Sequence, residues 1–368
     1  MWRGRLPRHI LEVAQRSYVT RTESGVHKNS VKGFIDCGLG TNPLGFPPAL
    51  REVLQQAADC DFCDYPAAVA ADLQKAVVEY LGIPGIDERS IVPGHGSIDI
   101  LVTLIRLLLP PGSLLSGISP QFTDTPVQAM MNSVRYHPVV LKAPSFTAGR
   151  DEWMRAARLR PDLLYIDRPH NPTGQFLPLD DLKDIVAECA GRGCWVIVDE
   201  AYGDYLSIEE SALTIDSPNC IVTRGFAKAW GLAGLRVGYG VIRDPELLEI
   251  FYRLQPPFSV NTIAETCAVQ ALKDRDFLDR TRQYVREGKK AIIGVVSEKE
   301  DLMMAETHPD TPIMLLTQRK GNLQERLASA GISSEPGKGY LDLDETSVRL
   351  RVPPEKGLQE VLLRLRSL

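Results

Sequence analysis

A run of apolar residues long enough to cross a membrane is missing. The most hydrophobic stretch of the 368-residue chain, Leu101 to Leu109, is broken by Arg106 and closed by Pro110 and Pro111, far short of the ~20 residues a spanning helix needs. No membrane partner is expected. An excess of positive charge is missing as well: 42 Lys and Arg stand against 47 Asp and Glu, a net charge of −5, which leaves no electrostatic footprint for nucleic acid. The seven cysteines, at 37, 60, 63, 189, 194, 220 and 267, are an odd set in a chain large enough to fold without staples, and point to reduced thiols in a cytoplasmic setting. Cys60 and Cys63 form a lone C-x-x-C with no second pair and no histidine at ligand spacing, read as two semi-buried thiols, so no metal is expected. No G-x-G-x-x-G opens a βαβ unit with an acidic residue about 20 further on, which removes a nicotinamide dehydrogenase. Repeats and low-complexity tracts are absent, and 44% hydrophobic with 24% charged residues describes an ordinary globular protein with a small-molecule or protein partner.

What is present is alternation. From about residue 70 to 250, short apolar runs exchange with helix-length amphipathic ones, the pattern of an α/β fold with a mostly parallel sheet. Branched residues predict strands at Ser113 to Ile118, Leu163 to Asp167, Trp195 to Asp199, Ile221 to Arg224 and Val237 to Ile242. Helices are predicted at Asp72 to Leu81, Ser97 to Leu109, Leu179 to Gly191 and Pro245 to Leu254. After Pro256-Pro257 the pattern becomes one long helical stretch from about Thr262 to Val296, a strand from Ile313 to Thr317, a helix from Asn322 to Ala330, a strand from Ser347 to Val352 and a closing helix. This predicts a large domain over 45–257, a small α+β domain over 258–368, and an N-terminal arm, 1–44, that folds onto the small domain or a partner subunit. Arg3, Arg5, Arg8 and Arg16 around Ile10, Leu11 and Val13 suit a structural amphipathic arm; Glu12 argues against a transit peptide.

In open parallel sheets ligands sit at the carboxyl ends of strands, so polar residues just after these runs carry the argument. Lys228 follows a strand in the glycine-rich stretch Thr223-Arg-Gly-Phe-Ala-Lys228-Ala-Trp-Gly-Leu-Ala-Gly-Leu-Arg236, where a Schiff-base lysine could live. Asn171 follows the strand ending at Asp167, and Asp199 and Tyr202 follow the strand beginning at Trp195. All lie on the side where Lys228 should point.

The ordered set Tyr65-Pro66, Gly94-His-Gly-Ser97, Asn171-Pro-Thr-Gly174, Asp199-Glu-Ala-Tyr202, Lys228 with Gly231-Leu-Ala-Gly-Leu-Arg236, and Arg349 resembles fold-type I pyridoxal-phosphate enzymes of aminotransferase class I/II, in the branch of histidinol-phosphate aminotransferase and threonine-phosphate decarboxylase. The resemblance covers nearly the whole chain. It implies a three-layer α/β/α large domain plus a small α+β domain, pyridoxal 5'-phosphate as cofactor, and a homodimer with a shared active site. It also implies roles. Lys228 would carry the cofactor as a Schiff base and then shuttle a proton at the substrate α-carbon. Asp199 would pair with the protonated ring nitrogen, Asn171 and Tyr202 would donate to the ring phenolate oxygen, and Phe122 would stack on the ring. Gly96 and Ser97, opening a helix, would hold the phosphate with Arg236, and Tyr65 would reach in from the other subunit. Most relatives carry hydroxyl side chains where this chain has Gly225 and Ala227. Two contacts are thereby lost, and Arg224 and the Schiff base are left to compensate.

The bond to be broken stays open between amino-acid transamination, decarboxylation of a phosphorylated amino acid, and elimination or cyclisation. Arg349 matches the family's anion-binding arginine, and strand alternation puts Arg351 on the same face, suggesting a paired receptor for a dianionic amino substrate. The segment Ile35-Asp-Cys-Gly-Leu-Gly-Thr-Asn42-Pro, which makes Asn42 a candidate substrate contact, leans toward the decarboxylase, while Pro353 replaces a second arginine of that relative. A non-catalytic effector-binding module is the remaining reading, but such modules are joined to a DNA-binding domain, and no helix-turn-helix or linker is present.

Overall fold

The strands form where branched residues cluster. The computed structural model describes residues 8–13, 33–56 and 63–368, so Arg3, Arg5, Arg16 and Cys60 lie outside the described residues. In chain order the strands are β1 (Ile35–Asp36), β2 (Ile91–Gly94), β3 (Leu114–Ser119), β4 (Arg135–Val140), β5 (Leu163–Asp167), β6 (Trp195–Asp199), β7 (Cys220–Gly225), β8 (Gly238–Val241), β9 (Leu302–Met304), β10 (Ile313–Gln318), β11 (Ile332–Ser333), β12 (Glu335–Pro336) and β13 (Ser347–Arg351). A seven-stranded sheet runs in the order β2-β8-β7-β6-β5-β3-β4. Strand β8 runs antiparallel to both neighbours, and the pairs from β7 to β4 are parallel.

Strands β5 to β7 are buried on both faces, as parallel strands under two helical layers must be. Leu164, Ile166, Val196, Val198 and Val222 face one core with Trp153 and Ile185 from the helices Arg150–Arg158 and Leu179–Ala190. Leu163, Tyr165, Ile197 and Ile221 face the other, with Leu101 and Phe251 from Ser97–Leu108 and Pro245–Leu254. The period-2 alternation thus sorts each strand between two layers of helix.

Beyond residue 300 the strands form an antiparallel sheet in the order β12-β13-β10-β9, and β1 pairs in parallel with β11. The predicted continuous helix from Thr262 to Val296 is two helices, Thr262–Ala271 and Arg275–Ser297. Asp274 interrupts it, because its carboxylate caps the second helix by accepting from the Phe277 N–H at 3.0 Å. Cys63, expected to be semi-buried, is exposed.

The reverse turn after β5 is held from several directions. His170, 3% exposed, bridges Thr173 Oγ1 through Nδ1 and the Pro120 carbonyl through Nε2, each at 2.7 Å. The carbonyl can only accept, so Nε2 carries the hydrogen and Nδ1 accepts from Thr173. Thr311 Oγ1 and the His308 N–H both donate to the Gly174 carbonyl, at 2.8 and 2.9 Å. The buried ammonium of Lys289 fastens the same loop, reaching Thr307 Oγ1, Thr311 Oγ1 and the carbonyls of His308 and Ile313 at 2.6–2.9 Å. Gly174 has φ +76°, and a Cβ there would lie 2.6 Å from Thr311 Oγ1, so no side chain fits.

Two outcomes follow for stability. Burial pushes the His170 imidazole down from 6.5 to about 4, so its neutral form stabilises the fold at neutral pH and that contribution is lost as pH falls from 6.5 toward 4, up to about 3 kcal/mol. Urea unfolding at both pH values should therefore show a smaller acid loss in His170→Gln than in the unaltered chain, and an equal loss would refute the assignment. Arg351, paired with Asp36 in a buried contact, should cost about 3–5 kcal/mol when replaced by Leu, because the Asp36 carboxylate loses its only buried cationic partner among the described residues and keeps just the Gly38 N–H and the Ser333 hydroxyl; a melting temperature unchanged by Arg351→Leu would exclude this.

Candidate active site

The carboxyl ends of β5, β6 and β7 meet at one level: Asp167 pairs in register with Asp199, and Asp199 with Thr223. Above them opens a cavity with about 830 Å³ of empty space, mouth included. Gly96, Ser97, Phe122, Asn171, Asp199, Tyr202, Lys228 and Arg236 all line it. Eight of the residues singled out from sequence thus converge, from positions 140 apart in the chain.

Asp199 is buried, and its carboxylate is held on both oxygens. Oδ2 accepts from the Tyr165 hydroxyl at 3.0 Å, and Oδ1 accepts from the Ala201 N–H at 3.1 Å and the Thr223 hydroxyl at 3.2 Å. Burial nevertheless pushes it up to about 6, against those donors and with the neighbouring Asp167 adding to the rise. Such a carboxylate is poised to take a cationic partner. Lys228, half-buried, holds its Nζ 5.2 Å from the Tyr202 ring centroid. The Tyr202 hydroxyl is buried with no hydrogen-bond partner among the described residues, a donor in want of an acceptor.

At the other end Gly96 precedes the helix Ser97–Leu108 with φ +78°. A Cβ on Gly96 would sit 2.8 Å from Arg236 Nη2, so glycine leaves room for the guanidinium beside the start of the helix. That is a cradle for an anion. Nothing blocks the neighbouring wall: a Cβ on Gly225 would lie 3.7 Å from Ser97 Oγ in ordinary contact, and Ala227 also lines the cavity. Gly225 and Ala227 bring no hydroxyl to this wall, and Arg224 does not compensate. Its guanidinium is buried against Glu200, at 2.9 Å, and Asp204, at 2.9 Å, and Glu200 also holds Arg168 at 3.2 Å.

Asn171 Oδ1 accepts from Arg349 Nη1 at 3.0 Å and from the Tyr340 hydroxyl at 3.2 Å, which turns its amide N–H groups away from them. Arg349, 1% exposed, also donates to the Gly38 carbonyl at 3.2 Å; it stands behind Asn171 rather than in the cavity wall. Two expectations change. Arg351 does share the face of Arg349 but is committed to Asp36 and to the Val352 carbonyl at 3.0 Å, so the paired anion receptor is not formed. Asn42 is not a cavity residue, because both sides of its amide are occupied: it donates to the Ala229 carbonyl at 2.5 Å and to Thr281 Oγ1 at 3.2 Å, and accepts from the Leu44 N–H at 2.7 Å. Tyr65 is 82% exposed and stacks on Phe258 with centroids 4.9 Å apart, outside this cavity. Sequence reading passed over Asp167, Asp124 and Ile98, which also line it. The rule that found Asp199, a polar residue at the carboxyl end of an apolar strand, applies equally to Asp167.

These features fit a ring that bears a cationic nitrogen, an acceptor oxygen, an aldehyde and a phosphate. Among the described residues no group of His, Cys, Asp and Glu could hold a metal ion, and no helix is long and apolar enough to cross a membrane.

Comparison with known proteins agrees. Residues 32–365 match the family model for aminotransferase class I and II. Histidinol-phosphate aminotransferase 2 of Ralstonia nicotianae is 36% identical over 253 residues, which span 67% of this chain and 65% of that protein. Histidinol-phosphate aminotransferase 1 of Cupriavidus pinatubonensis is 33% identical over 72% and 69% of the two chains. Among solved structures, histidinol-phosphate aminotransferase from Sinorhizobium meliloti in complex with pyridoxal-5'-phosphate superposes with a TM-score of 0.83 at 21% identity, over 99% of this chain and 97% of that one. Aspartate aminotransferase from Thermus thermophilus gives 0.79 at 19%, over 98% and 99%. With one sheet between two helical layers and a cavity at the carboxyl ends of the strands, the chain belongs to the class I and II aminotransferases, pyridoxal-phosphate enzymes of fold type I.

Proposed function

We propose that this aminotransferase moves the amino group of a small amino compound bearing one anionic group, with histidinol phosphate as the first substrate to be tried. The observation that carries the reading is the convergence of an amine, a buried carboxylate and an anion cradle on one cavity; the histidinol-phosphate aminotransferases among its relatives supply the candidate substrate. Pyridoxal 5'-phosphate, when bound, supplies an electron sink for the bond pair released at the substrate α-carbon.

The chain's own groups do the rest. Lys228 holds the cofactor through its amine and, once released by substrate, takes and returns the α-proton. Asp199 keeps a proton on the ring nitrogen. Asn171 and Tyr202 donate to the ring oxygen, and Phe122 covers the ring face and excludes water. Gly96, Ser97 and Arg236 bind the phosphate, and Arg349, joined to Asn171, supplies the cation for the substrate's anionic group. Tyr65, exposed on a single chain, is read as the contribution of a second copy to the phosphate end. The division into domains over 45–257 and 258–368 accompanies this reading. The commitment of Arg351 to Asp36 removes the local support for a dianionic substrate.

The test is incubation of the yellow enzyme with amino compounds and no keto acid. Accumulation of the pyridoxamine form is expected; carbon dioxide release with the aldehyde form retained would replace transamination by decarboxylation. Lys228→Ala should fold yet lose at least ~1000-fold in turnover, and near-normal turnover would remove the lysine from its role. Gly225→Ser with Ala227→Ser should tighten cofactor binding to the cofactor-free chain by about one to two decades, at ~1 kcal/mol for each added hydrogen bond. Equal affinity of the double variant and the unaltered chain would mean the vacated places contribute nothing.

A further inference from the structure

Asp167 lines the cavity beside Asp199 and has no part in the chemistry derived above. Its Oδ2 accepts from two backbone N–H groups, that of Phe122 at 3.1 Å and that of Asn171 at 2.9 Å. One oxygen therefore fastens the backbone of both Phe122, proposed to cover the ring face, and Asn171, proposed to donate to the ring oxygen. The other, Oδ1, is buried and has no hydrogen-bond partner among the described residues, and Asp167 as a whole is 4% exposed.

Two buried carboxyls at the same level of adjacent strands do not both stay charged readily. The donors decide between them. Asp199 has three donors spread over both oxygens, whereas Asp167 has donors on one oxygen only, and a bare buried carboxylate oxygen is costly. The charge belongs on Asp199 and the proton on Asp167.

Resting on the cofactor reading, we propose that Asp167 serves this cavity as a neutral carboxyl, its Oδ2 positioning Phe122 and Asn171 and its Oδ1–H donating a hydrogen bond to the bound cofactor. The titration of the group agrees, since burial pushes Asp167 up to about 7 against its backbone donors, above its neighbour. The groups facing it are Asp199 on β6, Tyr165 on its own strand and Tyr136 on β4, both tyrosines held protonated by burial and by the carboxyls. Asp124 and Lys228 line the same cavity, and His170 on the adjoining turn stays neutral.

The discriminating variant is Asp167→Asn, whose amide oxygen can accept both N–H groups while its Nδ2–H imitates the proposed proton. Cofactor-free chains are titrated with pyridoxal 5'-phosphate, following the absorbance of the bound form, at pH ~6 and ~8.5. The asparagine variant should bind within about threefold of the unaltered chain at the lower pH and about ten- to thirtyfold more tightly at the higher, where only a few per cent of the unaltered chain keeps the proton. Asp167→Ala, which frees both N–H groups, should bind more than about tenfold more weakly at both pH values. Binding by Asp167→Asn weakened tenfold or more at pH ~6, or a ratio to the unaltered chain that does not change with pH, overturns the inference and leaves the cofactor reading intact. No bound-cofactor spectrum from the unaltered chain overturns both.

Discussion

The register of three parallel strands governs this site. With Asp167 opposite Asp199 and Asp199 opposite Thr223, two carboxyls and a hydroxyl arrive at one level, where the helical layers shut out water on both sides. A slip of one residue would send each of these side chains into the opposite core. What penalises that slip is the polar ends themselves, since Asp167, Asp199 and Thr223 would be driven into an apolar helical layer without their partners.

The same strand ends carry a second polar cluster, of a different kind. Arg168, Glu200, Arg224 and Asp204 form a buried network of two cations and two anions, closed by donors from Ser211, Tyr80 and Trp230. Charge balance is what makes it tolerable, because removing one member would leave an uncompensated buried charge. It spans the ends of β5, β6 and β7 and so holds the strand ends together.

The large sheet and most of the cavity were legible in the sequence because both follow from short-range rules. The strands Leu163–Asp167 and Trp195–Asp199 and the helix Pro245–Leu254 have the bounds that their patterning predicts, and the residues after the strands converge as strand-end logic requires. What was not legible depended on partners far away in the chain. Alternation correctly placed Arg349 and Arg351 on one face, but only the path of residues 33–42 reveals that Asp36 claims the second and the Gly38 carbonyl part of the first. The same segment brings Asn42 against Ala229 and Thr281. Asp274 carried a local signal, a capping residue, that an uninterrupted amphipathic pattern concealed.

Asn171 Oδ1 takes one hydrogen bond from Arg349 on β13 and one from Tyr340, while its amide nitrogen is left to the cavity. Asn171 thereby adds a direct link between β13 of the small sheet and the end of β5 in the large one. On the proposed function, an anion drawn to Arg349 would compete with Asn171 for the same guanidinium, and substrate engagement at one end would alter the hydrogen bond offered at the other. By thermodynamic reciprocity, the occupant of the cavity would then also set the affinity of Arg349 for that anion. Recognition and electronic tuning would be two readings of one equilibrium.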